Sequence, residues 1–259
     1  MGIRLISRLD VKMAHLIKGV QMEGWRKMGD PSERAKHYYD AGADEILYVD
    51  VVASLYQRNN LHDILRDVAS HSFVPITVGG GIDSVAAGKA LMDAGADKLA
   101  LNTAATRRPE LLSELGDRFG SQAVVLNIEA KSRPGGGWTV MTDNGRNHTG
   151  RDAVEWAAAA RGRGVGEILV TSIDRDGTKR GMETDLVGAI AQVVDIPVIA
   201  SGGCAGAAHA GAAIARGAGA IAIAAALHDD SLSLRALRDD LLEAGHDLRP
   251  LPEGEAAHV

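Results

Sequence analysis

Residues 74–105 read VPITVGGGIDSVAAGKALMDAGADKLALNTAA. An apolar run, Val74 to Val78, ends in Gly79, Gly80 and Gly81. A helical stretch follows, then Ala-Gly-Ala-Asp, then a second apolar run ending at Asn102-Thr103. Read by period, this is strand, glycine turn, helix, strand: one βαβ unit. Glycines after a strand let backbone approach a ligand, and the free N–H groups opening the next helix suit an anion. Such turns also occur for purely steric reasons, so one alone decides little.

The stretch recurs. Residues 196–227 read IPVIASGGCAGAAHAGAAIARGAGAIAIAAAL, and laying Val74 on Ile196 is an offset of 122. Gly80 then meets Gly202, Gly81 meets Gly203 and Gly95 meets Gly217. At the same offset the segment from Ala41 to Leu47 meets that from Arg163 to Leu169. Nearer the start, Leu9-Asp10-Val11-Lys12 meets Ile128-Glu129-Ala130-Lys131 at 119. Two copies of one half, each with a glycine cradle, suggest a ligand carrying a phosphate at either end.

Around this pair lie eight short apolar runs, at 4–9, 45–50, 74–78, 98–102, 123–128, 166–171, 197–200 and 220–224. They lack alternation, as parallel strands covered on both faces do. Helical stretches separate them, among them Pro31–Ala41, Val85–Ala94, Pro109–Phe119, Asp152–Arg163, Asp185–Val194 and Ala207–Arg216. The pattern predicts a single α/β domain, a (β/α)8 TIM barrel with a two-fold half-barrel repeat, over residues 1–249. An open doubly wound sheet accounts less well for equal halves. Residues 250–259 read as a disordered tail. The segments 13–30 and 132–150 are longer than barrel connections need, so they read as lids, binding loops or small hairpins. Trp138–Met141 followed by Asp143-Asn144-Gly145 has a hairpin's pattern.

At 259 residues the length suits such a barrel, and 46% hydrophobic content supplies its core. A net charge of −6 argues against nucleic acid or an anionic membrane as the bulk partner. The single cysteine, Cys204, permits no internal disulfide and fits a reducing cytoplasm. Asp10 and Lys12 break any leader-like run, and no membrane span is expected. The nine histidines show no metal-ligand spacing.

In a barrel, ligands sit at the carboxyl ends of the strands. Here those ends carry Asp10, Asp50, Gly79–Gly81, Asn102-Thr103, Glu129, Thr171 with Asp174 and Asp176, Ser201-Gly202-Gly203 and Ala224-Ala225. Asp10 and Glu129 fall opposite each other around the ring. They can act as an acid/base pair if their surroundings separate their pKa values. Asp50 could equally be a helix cap, and Asp174–Thr178 an ordinary turn. Cys204 has no base beside it and reads as a small buried residue.

The motifs Leu9-Asp10-Val11-Lys12, Ile17-Lys18-Gly19-Val20, Gly29-Asp30-Pro31, Val78–Ile82, Asn102–Ala105, Phe119–Gln122, Gly166–Leu169, Asp174–Thr178 and Ile199–Gly203 together resemble the cyclase subunit of imidazole glycerol phosphate synthase, from about residue 4 to 249. The resemblance implies ammonia from a glutaminase partner in a heterodimer, passed through the barrel to a bisphosphorylated aminoimidazole-carboxamide substrate. It implies neither cofactor nor metal. By it, Asp10 and Glu129 are the catalytic pair, and Lys18 lies on a mobile loop over the substrate. Gly81, Asn102 and Thr103 hold one phosphate. Asp176, Gly177, Gly203, Ala224 and Ala225 line the other. Asp50, Thr171 and Ser201 support the pocket. Arg4, Glu45, Lys98 and Glu167 form an ammonia gate at the far end, and Asp97 meets the partner.

Four positions depart from that family. Glu129 stands where it has an aspartate, Arg8 and Asn127 where it has small residues, and Ala225 where it often has a serine. Side chains alternate along a strand, so Arg8 shares the interior with Asp10. A buried arginine needs a partner, which leads to the expectation that Arg8 pairs with Glu129 through Asn127 and keeps it ionised. Two other readings stay open: an ammonia-using paralogue that amidates a surface-polysaccharide sugar, and a non-catalytic scaffold that activates a glutaminase.

Overall fold

The computed structural model describes residues 2–53 and 61–251. The strands in chain order are β1 (Arg4–Lys12), β2 (His15–Val20), β3 (Glu23–Gly29), β4 (Glu45–Asp50), β5 (Ile76–Gly79), β6 (Lys98–Leu101), β7 (Val124–Ser132), β8 (Trp138–Thr142), β9 (Asn147–Asp152), β10 (Glu167–Ser172), β11 (Val198–Ser201) and β12 (Ala220–Ile223). Eight of them close a parallel ring, β1-β4-β5-β6-β7-β10-β11-β12, with β12 returning to β1. This is the (β/α)8 barrel, and every apolar run read as a strand forms one within two residues of its expected bounds or runs on beyond them. Met1 and residues 252–259, most of the expected tail, lie outside the described residues.

Sequence dictates the helix starts. Pro31 opens the helix Pro31–Asp40, where its fixed φ and missing N–H cost nothing, and Asp30 caps it by accepting from Ser32 and Glu33 N–H at 2.8 and 3.0 Å. Ser84 caps Val85–Asp93, and Asp152 caps Ala153–Arg161. Leu, Val, Ile and Ala on the outer face of the ring pack against these helices in the main core.

The inner face is layered. Arg4, Glu45, Lys98 and Glu167 open at the amino ends of their strands. Above them lies an apolar layer with Ile6, Leu47, Val125, Leu169 and Ile199. Above that come Arg8, Asn127, Thr171 and Ser201, and then Asp10 and Glu129. The registers fix this order: Arg8 pairs with Leu47, Asn127 with Leu169, Glu129 with Thr171.

Both long loops fold as hairpins. β2–β3 continues antiparallel from β1, and β8–β9 does the same from β7. Asp10 and Glu129 therefore stand within continuing strands rather than at their last residues. The half-barrel repeat extends to these hairpins, one on each first strand. They meet over the mouth: Met22, Met141 and Ile173 cluster, and Trp25 receives Lys12 and Arg146 at 5.1 and 5.7 Å from its ring centre.

Candidate active site

Four strand steps separate β1 from β7 in either direction round the ring. Asp10 and Glu129 thus face each other across the mouth, both buried. Their surroundings differ. Asp10 accepts from Arg8 Nε at 2.9 Å and Lys18 Nζ at 3.0 Å. Burial disfavours its charge, but the two cations overcome that and hold the carboxyl well below its ordinary range. Glu129 accepts from the Gly145 backbone N–H at 2.9 Å. Burial raises it to about 7, against the opposing pull of Arg8, the Gly145 N–H and Asn102. One carboxylate is fixed as an anion while the other titrates near neutrality. That separation is what an acid/base pair requires.

Arg8 does not pair with Glu129. Its Nε goes to Asp10, and its Nη1 donates to Thr171 Oγ1 at 2.7 Å and Ser201 Oγ at 3.2 Å. Residues two apart on one strand share a face and lie close, so Asp10 is the nearer anion. Asn127 does not bridge either, since its Oδ1 has no partner. The expected ionised Glu129 is corrected accordingly: Arg8 acts on it only at a distance, and burial prevails.

Lys18, on the hairpin arm β2, reaches back over the mouth. Its Nζ lies 2.8 Å from both carboxylate oxygens of Asp176 as well as 3.0 Å from Asp10. Burial opposes its charge, but Asp10 and Asp176 win and raise its pKa. The hairpin is docked by Gln21, whose N–H donates to Asp176 O at 2.8 Å.

The two glycine turns sit where the sequence placed them. Gly80 has φ +103°, and a Cβ there would stand 2.3 Å from Asp50 O. Gly203 has φ +87°, and its Cβ would stand 2.2 Å from Gly181 O. Neither position accepts a side chain without moving backbone. The first turn, with Asn102 and Thr103, lines a cavity of about 250 Å³ that also takes in Asp50, Asn127 and Glu129. The second, with Asp176, Gly177, Ser201, Ala224 and Ala225, lines a narrow cleft. Asp50 lines the cavity, and its Oδ1 accepts from Val52 N–H at 3.0 Å. Asn102 Nδ2 donates to Met141 O, and Thr103 Oγ1 accepts from Asp143 N–H, which ties the first grip to the β8–β9 hairpin.

Sequence reasoning missed several lining groups. Arg107 and Arg108 face the first cavity and Lys179 the second. The adjacent arginines two residues beyond Ala105 were a signal, since cations beside an anion cradle are what a phosphate needs. Asn144 also lines the first cavity, from the hairpin turn. Cys204 is buried, and burial pushes its thiol to about 11.

At the opposite end the four predicted gate charges join into one ring. Arg4 donates to Glu45 at 2.6 Å and Glu167 at 2.7 Å, and Lys98 donates to the same two at 2.9 Å each. Thr77 Oγ1 donates to Glu45 at 2.6 Å. The ring closes the axis on the far side from the acids. Asp97 is exposed beside it, with its Oδ2 accepting from Ile76 N–H at 2.8 Å. Among the described residues no group of His, Cys, Asp and Glu is placed to hold a metal ion, and no helix is long and apolar enough to cross a membrane.

Residues 4–233 match the family model described as histidine biosynthesis protein. The imidazole glycerol phosphate synthase subunit HisF of Legionella pneumophila is 57% identical over 202 residues, covering 78% of this chain and 95% of that protein. The proteins of the same name from Synechococcus sp. strains CC9311 and CC9605 are 47% and 45% identical, covering 98% and 96% of this chain and 99% of each relative.

Proposed function

From a chain that belongs to the histidine biosynthesis protein family and aligns with HisF subunits over nearly its whole length, we propose a cyclase subunit of imidazole glycerol phosphate synthase that acts as a carbon–nitrogen lyase on a bisphosphorylated ribulosyl aminoimidazole carboxamide. The observation that carries the mechanism is the pair of opposed acids with separated ionisation, set between two glycine grips. A molecule with a phosphate at each end would span the mouth. Gly81, Asn102 and Thr103 would hold one end, with Arg107 and Arg108 nearby. Gly177, Gly203 and the backbone at Ala224-Ala225 would hold the other, with Lys179 nearby. A backbone N–H at Ala225 does what a serine hydroxyl would do.

Ammonia adding to the substrate carbonyl first gives a carbinolamine, and losing water from it needs an acid. Glu129, its carboxyl raised to about 7 by burial, can supply that proton and take one back as the ring closes and the carboxamide ribotide leaves. Asp10 remains an anion and suits a base or a counter-charge to the developing iminium. Lys18 would exchange Asp176 for substrate as the hairpin shuts. A glutaminase docked at the Arg4–Glu45–Lys98–Glu167 ring and Asp97 would deliver ammonia to the barrel axis, and the products are imidazole glycerol phosphate and aminoimidazole carboxamide ribotide.

The test is turnover of the bisphosphorylated intermediate with ammonium salt, followed by chromatography of the two products. Turnover with ammonium chloride, and with glutamine once the glutaminase is added, is the expected result; none under either condition refutes the reading. Arg8 and Asn127 in the interior favour one second reading, in which ammonia goes to a sugar instead. There the wild type leaves the histidine intermediate untouched and Glu129→Asp gains activity on it.

A further inference from the structure

The Gly145 N–H that reaches Glu129 comes from the turn joining β8 to β9. Asp143, Asn144 and Gly145 in that turn all have positive φ, at +53°, +58° and +75°. Side-chain-bearing residues keep such a backbone only where their surroundings hold it.

Asp143 does the holding. It is buried, at 3% exposure. Its Oδ2 accepts from Arg107 Nη2 at 3.1 Å and from Asn147 Nδ2 at 2.7 Å, and its N–H donates to Thr103 Oγ1 at 3.0 Å. Thr103 and Arg107 bound the short helix that follows β6 at the first glycine grip, and Asn147 opens β9. A buried carboxylate is costly unless paired and hydrogen-bonded, and these donors meet that need. One side chain thus ties the turn both to the grip and to the far strand of its own hairpin.

Resting on the reading of Glu129 as the acid, we propose that Asp143 is a positioning residue for it: through Arg107 and Asn147 it fixes the turn so that the Gly145 N–H stays on Glu129. The first grip and the acid are then one connected unit.

The sign of the effect separates this from plain electrostatics. The charges acting on Glu129 are Arg8 and Asp10 of β1, while Asn102 of the grip and the Gly145 N–H give it hydrogen bonds that favour its anion. Freeing the turn removes the Gly145 bond and moves the Glu129 titration to higher pH. Neutralising Asp143 acts by charge alone in the opposite direction, since one less anion nearby eases ionisation.

The test compares wild type with Asp143→Asn, which tolerates positive φ as aspartate does, and with Arg107→Met, which drops the donors and keeps much of the length. Thermal unfolding first confirms that both fold. Carbon-13 NMR of the Glu129 carboxyl, assigned from the Glu129→Gln spectrum, follows its titration in the whole chain without substrate. Both variants should move the midpoint upward by about half a unit to one unit, the effect of one lost hydrogen bond. The double variant should move it no further than the larger single change, because both break the same tie. A downward move in Asp143→Asn, or no move in either variant, would overturn the assignment. The titration needs no turnover, so a wild type inert toward ammonia and intermediate would overturn the cyclase reading separately.

Discussion

Replacing Glu129 by glutamine separates what this side chain costs the fold from what it gives the reaction. In the folded barrel its carboxyl titrates at about 7, against 4.5 in the open chain, because burial disfavours the anion. The sign follows from proton counting. Between those two values the folded state holds the proton more tightly than the unfolded state, so stability falls as pH rises through the window. At 1.36 kcal/mol per pH unit, the gap comes to about 3 kcal/mol, absent below pH 4.5 and complete above pH 7. Glutamine keeps an oxygen for the Gly145 N–H and never ionises. Glu129→Gln should therefore match the wild type at pH 4.5 and exceed it by about 3 kcal/mol at pH 8.5, or about 6 °C in Tm for a domain of this size. Turnover should fall about 10²- to 10⁴-fold at every pH. Denaturant unfolding of both proteins from pH 4.5 to 8.5, alongside product formation, checks both halves. A stability difference that does not grow with pH would refute the burial argument, and undiminished turnover would remove Glu129 from the acid/base role.

Asp10→Asn leaves Arg8 and Lys18 buried without the Asp10 charge, since asparagine offers only a neutral amide oxygen, and should cost about 3 kcal/mol in denaturant unfolding and at least 10²-fold in turnover; unchanged turnover would point to the scaffold reading. Lys98→Ala removes two bonds from the gate ring while Arg4 still holds both glutamates. It should lower stability by about 2 kcal/mol and reduce glutamine-driven turnover while sparing ammonium-driven turnover, measured side by side in the assembled enzyme. Gly203→Ala puts a Cβ against Gly181 O at a φ of +87°. Strain of about 1–3 kcal/mol should appear in Tm, and KM for the bisphosphorylated intermediate should rise at least tenfold.

The barrel was legible because its signals are periodic and local. Buried parallel strands read as unbroken apolar runs, and the offset that carries Gly80 onto Gly202 has only one economical explanation in three dimensions. The positions of the acids followed, because strand ends define the rim, whereas the charges at the far end came from the family resemblance. What stayed illegible was pairwise. Arg8 faces two carboxylates, and the strand pattern alone could not say which it meets. The answer turns on Asp10 being a neighbour two residues along, while Glu129 turns to the amide of Gly145 in a hairpin whose docking no sequence period encodes.

That distinction decides the chemistry. Had Arg8 bonded Glu129, both acids would be permanent anions, Asp10 by Lys18 and Glu129 by Arg8, and neither could donate a proton at neutral pH. Because both cations converge on Asp10, the charge of the site is concentrated on one side of the mouth and Glu129 on the other side is buried with no cation bonded to it. The extra methylene that separates glutamate from aspartate at position 129 fits the same division: a longer stem reaches the Gly145 N–H at the hairpin, away from the guanidinium. Arg8 and Glu129 thus read as matched departures, with Arg8 fixing one acid as an anion and the longer side chain keeping the other beyond its direct reach.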